Sequence, residues 1–303
     1  MTVLTGFQQK IAALLPDLEL RFEEPFSAHT SFRIGGPAEV MAFPKNSEEL
    51  SKILKASVLL DCKPFILGAG TNILAPDAGL RGLTVCLKDS MDGVQQLDDT
   101  TIRVMAGVTM TRAAVYAANL GLSGLEFAHG IPGTVGGGVY MNAGAYGGEI
   151  CQVCRQVAVM DMAGELRVLT AEEMRFSYRH SRLEEEPGIV LYADFQLEKA
   201  PVEQIKSRMQ ELMAKRKTSQ PLEYPSAGSA FKRPVGGYAA ALIDQAGLKG
   251  FQIGGAAVSQ KHAGFVVNLG GATAEDVVSL LKQVSDMVYD RSGIRLEPEV
   301  RIW

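Results

Sequence analysis

The segment Gly130-Ile-Pro-Gly-Thr-Val-Gly-Gly-Gly138 decides the fold, together with its continuation Val139-Tyr-Met-Asn-Ala-Gly-Ala-Tyr-Gly-Gly148. It is dense in glycine and almost free of charge, whereas a solvated linker would be richer in polar residues. Because glycine lets the backbone approach a ligand closely, the segment predicts backbone that lies against a flat or phosphorylated ligand. The Asn142 amide offers a donor and an acceptor to a heteroaromatic edge. A glycine-rich packing turn is the alternative.

A second glycine motif, Leu67-Gly-Ala-Gly-Thr-Asn-Ile-Leu74, directly follows a predicted strand. Its backbone N–H groups can form a concave surface that favours phosphate. It is not a dinucleotide fingerprint of the G-x-G-x-x-G type, because Ile73 stands where the third glycine belongs. It also lacks the Lys-Ser/Thr pair of a P-loop. A phosphate site and a plain tight turn both remain open for this motif alone.

Hydrophobic periodicity divides the chain into three regions. The first alternates strands with a capped helix, as in a βαβ unit, with strands at 39–43, 65–67 and 83–87 and the helix at 47–60. The middle region is α+β with mostly antiparallel strands, at 101–106, 152–160, 166–169 and 189–197, and one helix at about 111–120. The third has a helix after Pro201, another at 274–289, and strands at 251–258 and 264–269.

Composition bounds the class of protein. A chain of 303 residues predicts two or three domains at roughly 100–200 residues each. The net charge of -4 argues against a general nucleic-acid binder, which would carry a basic face. No apolar run reaches the roughly 18–20 residues of a membrane helix, and the first residues do not resemble a signal peptide. We therefore expect a cytoplasmic protein.

The cysteines and histidines predict no metal site. Cys151 and Cys154 have the spacing of half a zinc or redox site, but no second pair stands nearby and their neighbours alternate like a strand. We interpret them as ordinary strand residues that point to opposite faces. Cys86 is expected to be a buried small hydrophobe. The four histidines are scattered without ligand spacing.

Three polar motifs are weak when each is taken alone. Phe176-Ser-Tyr-Arg-His-Ser181 contains an arginine that can grip a carboxylate in bidentate fashion, or that can form an ordinary surface pair. Pro225-Ser-Ala-Gly-Ser-Ala-Phe231 places Ser229 in what looks like a tight turn that presents a hydroxyl, or a simple ST-turn. Leu296-Glu-Pro-Glu-Val-Arg-Ile302 places Glu299 before a short apolar strand, where an acid is usually solvated.

Together and in this order, the five motifs resemble those of the UDP-N-acetylenolpyruvoylglucosamine reductase family over 25–303. The resemblance implies an α+β fold, with a two-subdomain FAD-binding region of the vanillyl-alcohol-oxidase/PCMH type followed by an α+β substrate-binding domain. The implied domains are 1–87, with a C-terminal strand near 299–303 packing against it, then 88–198 and 199–303. The implied contacts to non-covalent FAD are Gly68, Ala69, Gly70, Thr71, Asn72, Gly133, Thr134, Gly136, Gly137 and Asn142.

The family's reaction reduces the enolpyruvyl ether of a UDP-sugar to a lactyl ether and gives UDP-N-acetylmuramate. NADPH reduces FAD, and hydride then passes from flavin N5 to the vinyl carbon. By resemblance, Arg179 and Glu299 hold the substrate carboxylate and Ser229 donates the proton. A serine is a weak acid, so this role requires a reactive carbanion at close range.

The remaining expectations concern substrate contacts and partners. The resemblance implies that Lys217 binds the diphosphate, with Arg216 as an alternative, and that Tyr178 and Asn268 contact the substrate. Some members carry a long tyrosine-bearing insertion after Tyr-Arg-x-Ser, but here Ser181 leads quickly to the strand at 189, so the chain resembles the shorter subclass. We expect a monomer with no nucleic-acid or membrane partner. Another FAD-dependent oxidase or dehydrogenase on the same scaffold is the competing hypothesis.

Overall fold

The computed structural model describes residues 4–303. Its α-helices are α1 Gly6–Leu14, α2 Ser47–Leu59, α3 Met110–Asn119, α4 Val135–Tyr140, α5 Val202–Ser219, α6 Ala239–Gln245 and α7 Ala274–Ser292. Its strands are β1 Leu20–Pro25, β2 Pro37–Ala42, β3 Phe65–Leu67, β4 Ile73–Leu74, β5 Leu80–Cys86, β6 Val94–Gln96, β7 Thr101–Met105, β8 Leu122–Ser123, β9 Gly144–Ala145, β10 Gly148–Glu149, β11 Cys154–Asp161, β12 Leu166–Thr170, β13 Gly188–Gln196, β14 Glu198–Lys199, β15 Ser226–Ser229, β16 Gln252–Ile253, β17 Ala256–Val258, β18 Phe265–Asn268 and β19 Arg301–Ile302.

The chain forms two compact units. The first unit contains the chain up to Phe22, then Glu39–Ala69 and Gly82–Ala214. The second unit contains Glu23–Ala38, Gly70–Arg81 and Lys215–Trp303. The division at 87 and 198 that the sequence predicts concerns cofactor and substrate binding, and it stays a prediction.

The first unit is built on two sheets and one large apolar core. One sheet has the order β1-β2-β5-β3, with β3 and β5 parallel, and the other is the antiparallel sheet β12-β11-β13-β7-β6. Helices α2 and α3 bury their apolar stripes in this core, where Leu50, Ile53 and Ala117 are fully inaccessible. The predicted mixture of strand–helix alternation and an antiparallel middle region is confirmed.

The second unit is an antiparallel sheet of order β15-β18-β17-β16 packed against α7. Two distant chain segments are hydrogen-bonded into it. The Asp77 carboxylate accepts from the Ala274 N–H at 2.9 Å, at the start of α7, where an anion opposes the positive helix end. Asn268 Nδ2 donates to the Phe32 carbonyl at 3.0 Å. These bonds explain why 23–38 and 70–81 belong with the C-terminal part of the chain.

Helix ends follow the capping chemistry in the sequence. Thr5 and Gln8 form a capping box at α1, and Thr273 caps α7 by accepting from the Asp276 N–H at 3.0 Å. Asn46 caps α2, as the capped helix predicted at 47–60 requires, but the Glu49 side chain accepts from the Lys45 N–H rather than from the Asn46 N–H, so the two residues do not form a full capping box.

Two predicted strands are wrong in detail. The region 251–258 is not one strand but the hairpin of β16 and β17, which turns at Gly254 and Gly255. Cys151 lies in a single 3₁₀ turn ahead of β11, so Cys151 and Cys154 do not share a strand. No helix within residues 4–303 is both long and apolar enough to cross a membrane.

His262 makes the stability of the protein depend on pH. Burial, with a smaller contribution from Lys249, lowers the pKa of His262 below its usual 6.5, and its Nδ1 accepts from the Gly264 N–H at 3.1 Å. Near pH 6.5, therefore, the His262 side chain binds a proton in the unfolded chain but not in the folded chain. The free energy of unfolding should fall as pH drops below about 6.5 and stop falling on this account below the lowered pKa.

The variant His262→Asn tests this dependence, because its Oδ1 can replace the accepting nitrogen and does not titrate. Urea unfolding between pH 5 and 7 should show a shallower pH slope for the variant than for the parent chain. Equal slopes would contradict the assignment. His129, whose pKa burial also lowers, contributes to the slope that remains.

Candidate functional site

In the first unit the two glycine motifs meet. A Cβ added at Gly68 would lie 2.5 Å from Thr134 Oγ1, so the backbone of the first motif passes directly over the second. Among residues 4–303, the N–H groups of Gly68, Ala69, Gly133 and Thr134 donate no hydrogen bond. N–H groups without a protein acceptor, contributed by two adjoining loops, are what a phosphate group requires.

The segment 133–138 is partly helical, which the sequence did not predict. Thr134 caps α4, and its hydroxyl lies 3.4 Å from the Gly137 N–H. A Cβ at Gly136 would lie 3.0 Å from the Ala106 Cβ, and one at Gly138 would lie 2.8 Å from the Met110 sulfur. The Gly136 N–H already donates to the Ala106 carbonyl at 2.9 Å.

The two roles predicted for these glycines are therefore divided among them. Gly136 and Gly138 are required for close packing of α4, as the alternative of a packing turn stated. The Gly136 N–H already donates to the Ala106 carbonyl, so the predicted FAD contact of Gly136 cannot use this N–H. Gly137 is exposed and its added Cβ would meet nothing closer than 3.6 Å, so it faces outward.

The Asn142 side chain is used inside the protein. It is 1% exposed, and its Nδ2 donates to Glu149 Oε2 at 3.1 Å and to the Ser177 carbonyl at 3.0 Å. Its Oδ1 accepts from the Cys151 N–H at 3.0 Å. The predicted contact of this amide with a heteroaromatic edge is therefore revised, since both of its donor hydrogens already have protein acceptors.

Tyr178 and Arg179 form the tip of a two-residue turn. Ser177 and His180 exchange both backbone hydrogen bonds at 3.1 Å, and Arg179 has a φ of 55°. Arg179 Nη2 donates to the Gly144 carbonyl at 3.2 Å, and its Cζ lies 5.0 Å from the centre of the exposed Tyr178 ring. The turn thus holds the arginine against the second glycine segment.

Ser181 is a residue whose role the sequence analysis missed. Its side chain is fully buried, and its hydroxyl donates to the Tyr140 carbonyl at 2.7 Å. The signal lay in the motif itself, where a serine stands two residues after the arginine. It fixes the end of the Tyr178–Arg179 turn to the last residue of α4.

In the second unit, Gly70 has a φ of 58° and packs against the backbone. An added Cβ would lie 2.2 Å from the His29 carbonyl oxygen, and the Ser31 N–H donates to the Gly70 carbonyl at 3.1 Å. Only glycine fits this position. The N–H groups of Gly70 and Asn72 donate no hydrogen bond to any residue of 4–303.

Ser229 is presented by a β-bulge rather than by the predicted turn. Ser226 pairs with Val267 and Ser229 with Phe265, so β15 has one residue more than its partner, and Gly228 has a φ of 77°. Bulges redirect side chains and are frequent beside active sites. Ala227 and Ala230 are buried while Ser229 is exposed.

Glu299 lies on a segment tied to both Ser229 and the first glycine motif. The Glu299 N–H donates to the Ala230 carbonyl at 2.9 Å, one residue after Ser229. Asn72 Nδ2 donates to the Glu299 carbonyl at 3.1 Å, and the Arg301 N–H donates to the Asn72 carbonyl at 3.0 Å. Three residues that the sequence singled out are thus brought together within the second unit.

Lys217 and Asn268 are both predicted to contact the substrate, but they differ in whether their polar side-chain atoms already bind other protein groups. The exposed Lys217 side chain forms no ion pair with any described residue, and Lys261 Nζ donates to its carbonyl at 2.7 Å. Two ammonium groups therefore stand at the end of α5. Asn268 is buried, its Oδ1 accepts from the Gly270 and Ala272 N–H groups and its Nδ2 donates to the Phe32 carbonyl. It therefore has a structural role, and its contact with the substrate stays a prediction.

The alternative cation Arg216 is engaged at the end of α5, where its Nε donates to Oε1 of Gln220, one residue past the helix, at 2.7 Å. The cysteines show no sign of activated thiols. Burial raises the pKa of Cys86 to about 11 and that of Cys154 to about 12. In the described part of the chain, no group of His, Cys, Asp and Glu could hold a metal ion.

These features fit a diphosphate-containing cofactor such as FAD. The unused N–H groups at 68–69 and 133–134 form an anion cradle, and Gly68 leaves room that a side chain would fill. His129, one residue before the second motif, has a buried Nδ1 without a hydrogen-bond partner among residues 4–303. A buried polar atom of this kind ordinarily finds a partner, which a bound ligand can supply.

Comparison with known proteins gives first the class. The family model described as "FAD binding domain" matches residues 38–170, so this is an α+β flavoprotein. An alkyldihydroxyacetonephosphate synthase structure with 16% identity and a TM-score of 0.50, covering 66% of this chain and 42% of that one, shares the fold alone.

The particular family follows from the whole chain. The model described as "UDP-N-acetylenolpyruvoylglucosamine reductase, C-terminal domain" matches residues 220–303. Proteins of that name from Caldanaerobacter subterraneus and Agathobacter rectalis are 45% and 46% identical over 97% and 98% of this chain, and 96% and 98% of their own lengths. The Thermus caldophilus enzyme structure has 36% identity and a TM-score of 0.79, covering 94% of this chain and 98% of that one. The chain belongs to the UDP-N-acetylenolpyruvoylglucosamine reductase family.

Proposed function

We propose that the chain reduces the enolpyruvyl ether of UDP-N-acetylenolpyruvoylglucosamine to the lactyl ether of UDP-N-acetylmuramate, a precursor of peptidoglycan, with NADPH as reductant. The observation that carries the proposal is the second-unit cluster in which Ser229, Glu299 and Asn72 lie on directly hydrogen-bonded segments. Relatives that carry this enzyme's name match nearly the whole chain, which supports the same conclusion. We also propose that the protein acts as a cytoplasmic monomer.

The proposed chemistry divides between cofactor and protein. FAD, when bound, supplies the hydride that adds to the vinyl carbon of the substrate. The chain must then stabilise the negative charge on the adjacent carbon and protonate it. We assign proton donation to the Ser229 hydroxyl, which the β-bulge turns to the surface of the sheet. We assign carboxylate binding to Arg179 and to Glu299.

The remaining residues would bind and orient. The N–H groups of Gly68, Ala69, Gly133 and Thr134 would hold the cofactor diphosphate. Lys217 would pair with the substrate diphosphate, with the Lys261 ammonium adding positive charge nearby. Tyr178, whose side chain is 49% exposed, would lie along the substrate. We further propose that 199–303 is the substrate-binding domain.

An anaerobic two-step titration tests this function. NADPH should bleach the flavin absorbance, and the enolpyruvyl sugar nucleotide should then restore it with one equivalent of UDP-N-acetylmuramate formed. UDP-N-acetylglucosamine, which has no vinyl group, is the matched control and should restore nothing. Flavin that stays reduced with the enolpyruvyl compound and reoxidises only in oxygen would instead support the competing oxidase hypothesis.

A further inference from the structure

The Asn142 side chain connects the second glycine segment to the turn that carries Arg179. We propose that Asn142 is a positioning residue for Arg179, which holds the Tyr178–Arg179 turn in the geometry that receives the substrate carboxylate. The inference rests on the proposed function, in which Arg179 binds that carboxylate. It gives this amide a task other than contact with the cofactor.

The orientation of the Asn142 amide is fixed by its partners. Its Oδ1 accepts from an N–H of Cys151, so the oxygen must point there. Its Nδ2 faces two acceptors, the Glu149 carboxylate and the Ser177 carbonyl, so the nitrogen must point to them. A flipped amide would lose all three hydrogen bonds, and at 1% exposure water could not replace them.

The turn that Asn142 holds is strained at the functional residue. Arg179 has a φ of 55°, a conformation that costs a residue with a side chain free energy and persists only where the surroundings impose it. Asn142 binds the Ser177 carbonyl at the start of the turn, and Ser181 binds the Tyr140 carbonyl at its end. The two bonds clamp the turn from both sides.

Asn142 differs from Ser181 in also being tied to the loop that follows the glycine segment. Its partners Glu149 and Cys151 lie at β10 and in the next turn. Within the glycine segment itself, the Gly144 carbonyl accepts from Arg179 Nη2 at 3.2 Å, and Gly144 pairs with Glu149. One buried amide thus sets the distance between the start of the turn and the carbonyl that receives the guanidinium. Loss of the Ser177 bond should therefore displace the guanidinium itself.

A pair of isosteric variants isolates the Ser177 bond. In Glu149→Gln, the new amide oxygen still accepts from Asn142 Nδ2, so the bond to Ser177 remains. In the double variant Asn142→Asp with Glu149→Gln, the amide nitrogen introduced at position 149 donates to the carboxylate introduced at position 142, and the Cys151 N–H keeps its acceptor. Relative to Glu149→Gln, the double variant loses the bond to the Ser177 carbonyl, together with the weaker contact in which the Cys151 thiol donates to position 149 at 3.6 Å. Aspartate, like asparagine, tolerates the positive φ of 41° at position 142.

The measured quantity, on FAD-loaded protein, is the dissociation constant of UDP-N-acetylglucosamine, which lacks the carboxylate, divided by that of the enolpyruvyl sugar nucleotide. The double variant should lose about tenfold of its preference for the carboxylate-bearing ligand relative to Glu149→Gln, the size expected for a misplaced hydrogen bond to a charged group. General damage to the fold would weaken the binding of both ligands alike and leave the ratio unchanged.

Arg179→Ala separates failure of this inference from failure of the proposed function. If Arg179→Ala and the double variant each lower the ratio, and their combination lowers it no further than Arg179→Ala alone, the two residues act on one interaction and the proposal stands. If Arg179→Ala lowers the ratio while the double variant equals Glu149→Gln, Asn142 does not position Arg179. If Arg179→Ala leaves the ratio unchanged, the carboxylate-binding role of Arg179 is wrong and the inference falls with it.

Discussion

Ser229→Ala should leave reduction of the flavin by NADPH nearly intact and slow product formation by roughly 10²–10⁴-fold, the usual worth of a positioned general acid. This corresponds to about 2.7–5.4 kcal/mol at the transition state. The reason is that hydride transfer leaves a carbanion that must be protonated, and Ser229 is the exposed hydroxyl that the bulge of β15 presents. Stopped-flow absorbance measures the two half-reactions separately.

The control for this variant lies on the same strand. Ser226→Ala removes a hydroxyl three residues earlier, and turnover should stay within about twofold of the parent enzyme, as for a surface change away from the chemistry. Ser229→Cys should retain part of the activity, since a thiol can also donate a proton. Unchanged turnover in Ser229→Ala would remove this residue from the mechanism.

Gly68→Ala should weaken FAD binding by about a hundredfold, or about 2.7 kcal/mol, which is the size of one or two lost hydrogen bonds to a charged group. The added methyl would lie 2.5 Å from Thr134 Oγ1. To make room, the Thr134 side chain must move, and with it the cap of α4 and the adjacent N–H groups of the cradle. Titration of the apoprotein with FAD, followed by flavin fluorescence, measures the loss.

A double variant shows whether that collision is the cause. In Thr134→Ala the nearest obstacle disappears, because the next atom, the Thr134 Cβ, would lie 3.7 Å from the new methyl. Thr134→Ala alone should cost about 0.5–2 kcal/mol of stability as a lost cap, but adding Gly68→Ala to it should weaken FAD binding far less than in the parent chain. Gly237→Ala, where nothing lies within 4 Å of the added Cβ, should bind FAD normally. Normal binding by Gly68→Ala would exclude the cradle.

Much of the fold could be predicted from the sequence because local patterns determine it. The periodicity of α2 and α7 and the caps at Thr5 and Thr273 depend on residues within a few positions of each other. The glycine motifs indicated where backbone approaches something closely. They could not indicate what is approached, and at Gly136 the close neighbour is Ala106 rather than a ligand.

The parts that could not be predicted depend on distant partners. Nothing near Asn142 in the sequence shows that its acceptor is a carbonyl 35 positions later. The bulge before Ser229 arises from the register with β18, which a local turn pattern cannot reveal. For the same reason, the assignment of 70–81 to the second unit depends on the bond between Asp77 and the start of α7.

The bond between Asn72 and the Glu299 carbonyl joins residues 227 positions apart, and β4 pairs with β19 at the same place. During translation at ~5–20 residues per second, the ribosome needs roughly 10–45 s to make the second partner after the first. Throughout that interval the first glycine loop has been synthesised, but β19, the strand that pairs with it, has not. The nascent first unit can collapse early around its own core. The loop, however, can pair with its partner strand only after nearly the whole chain has been synthesised.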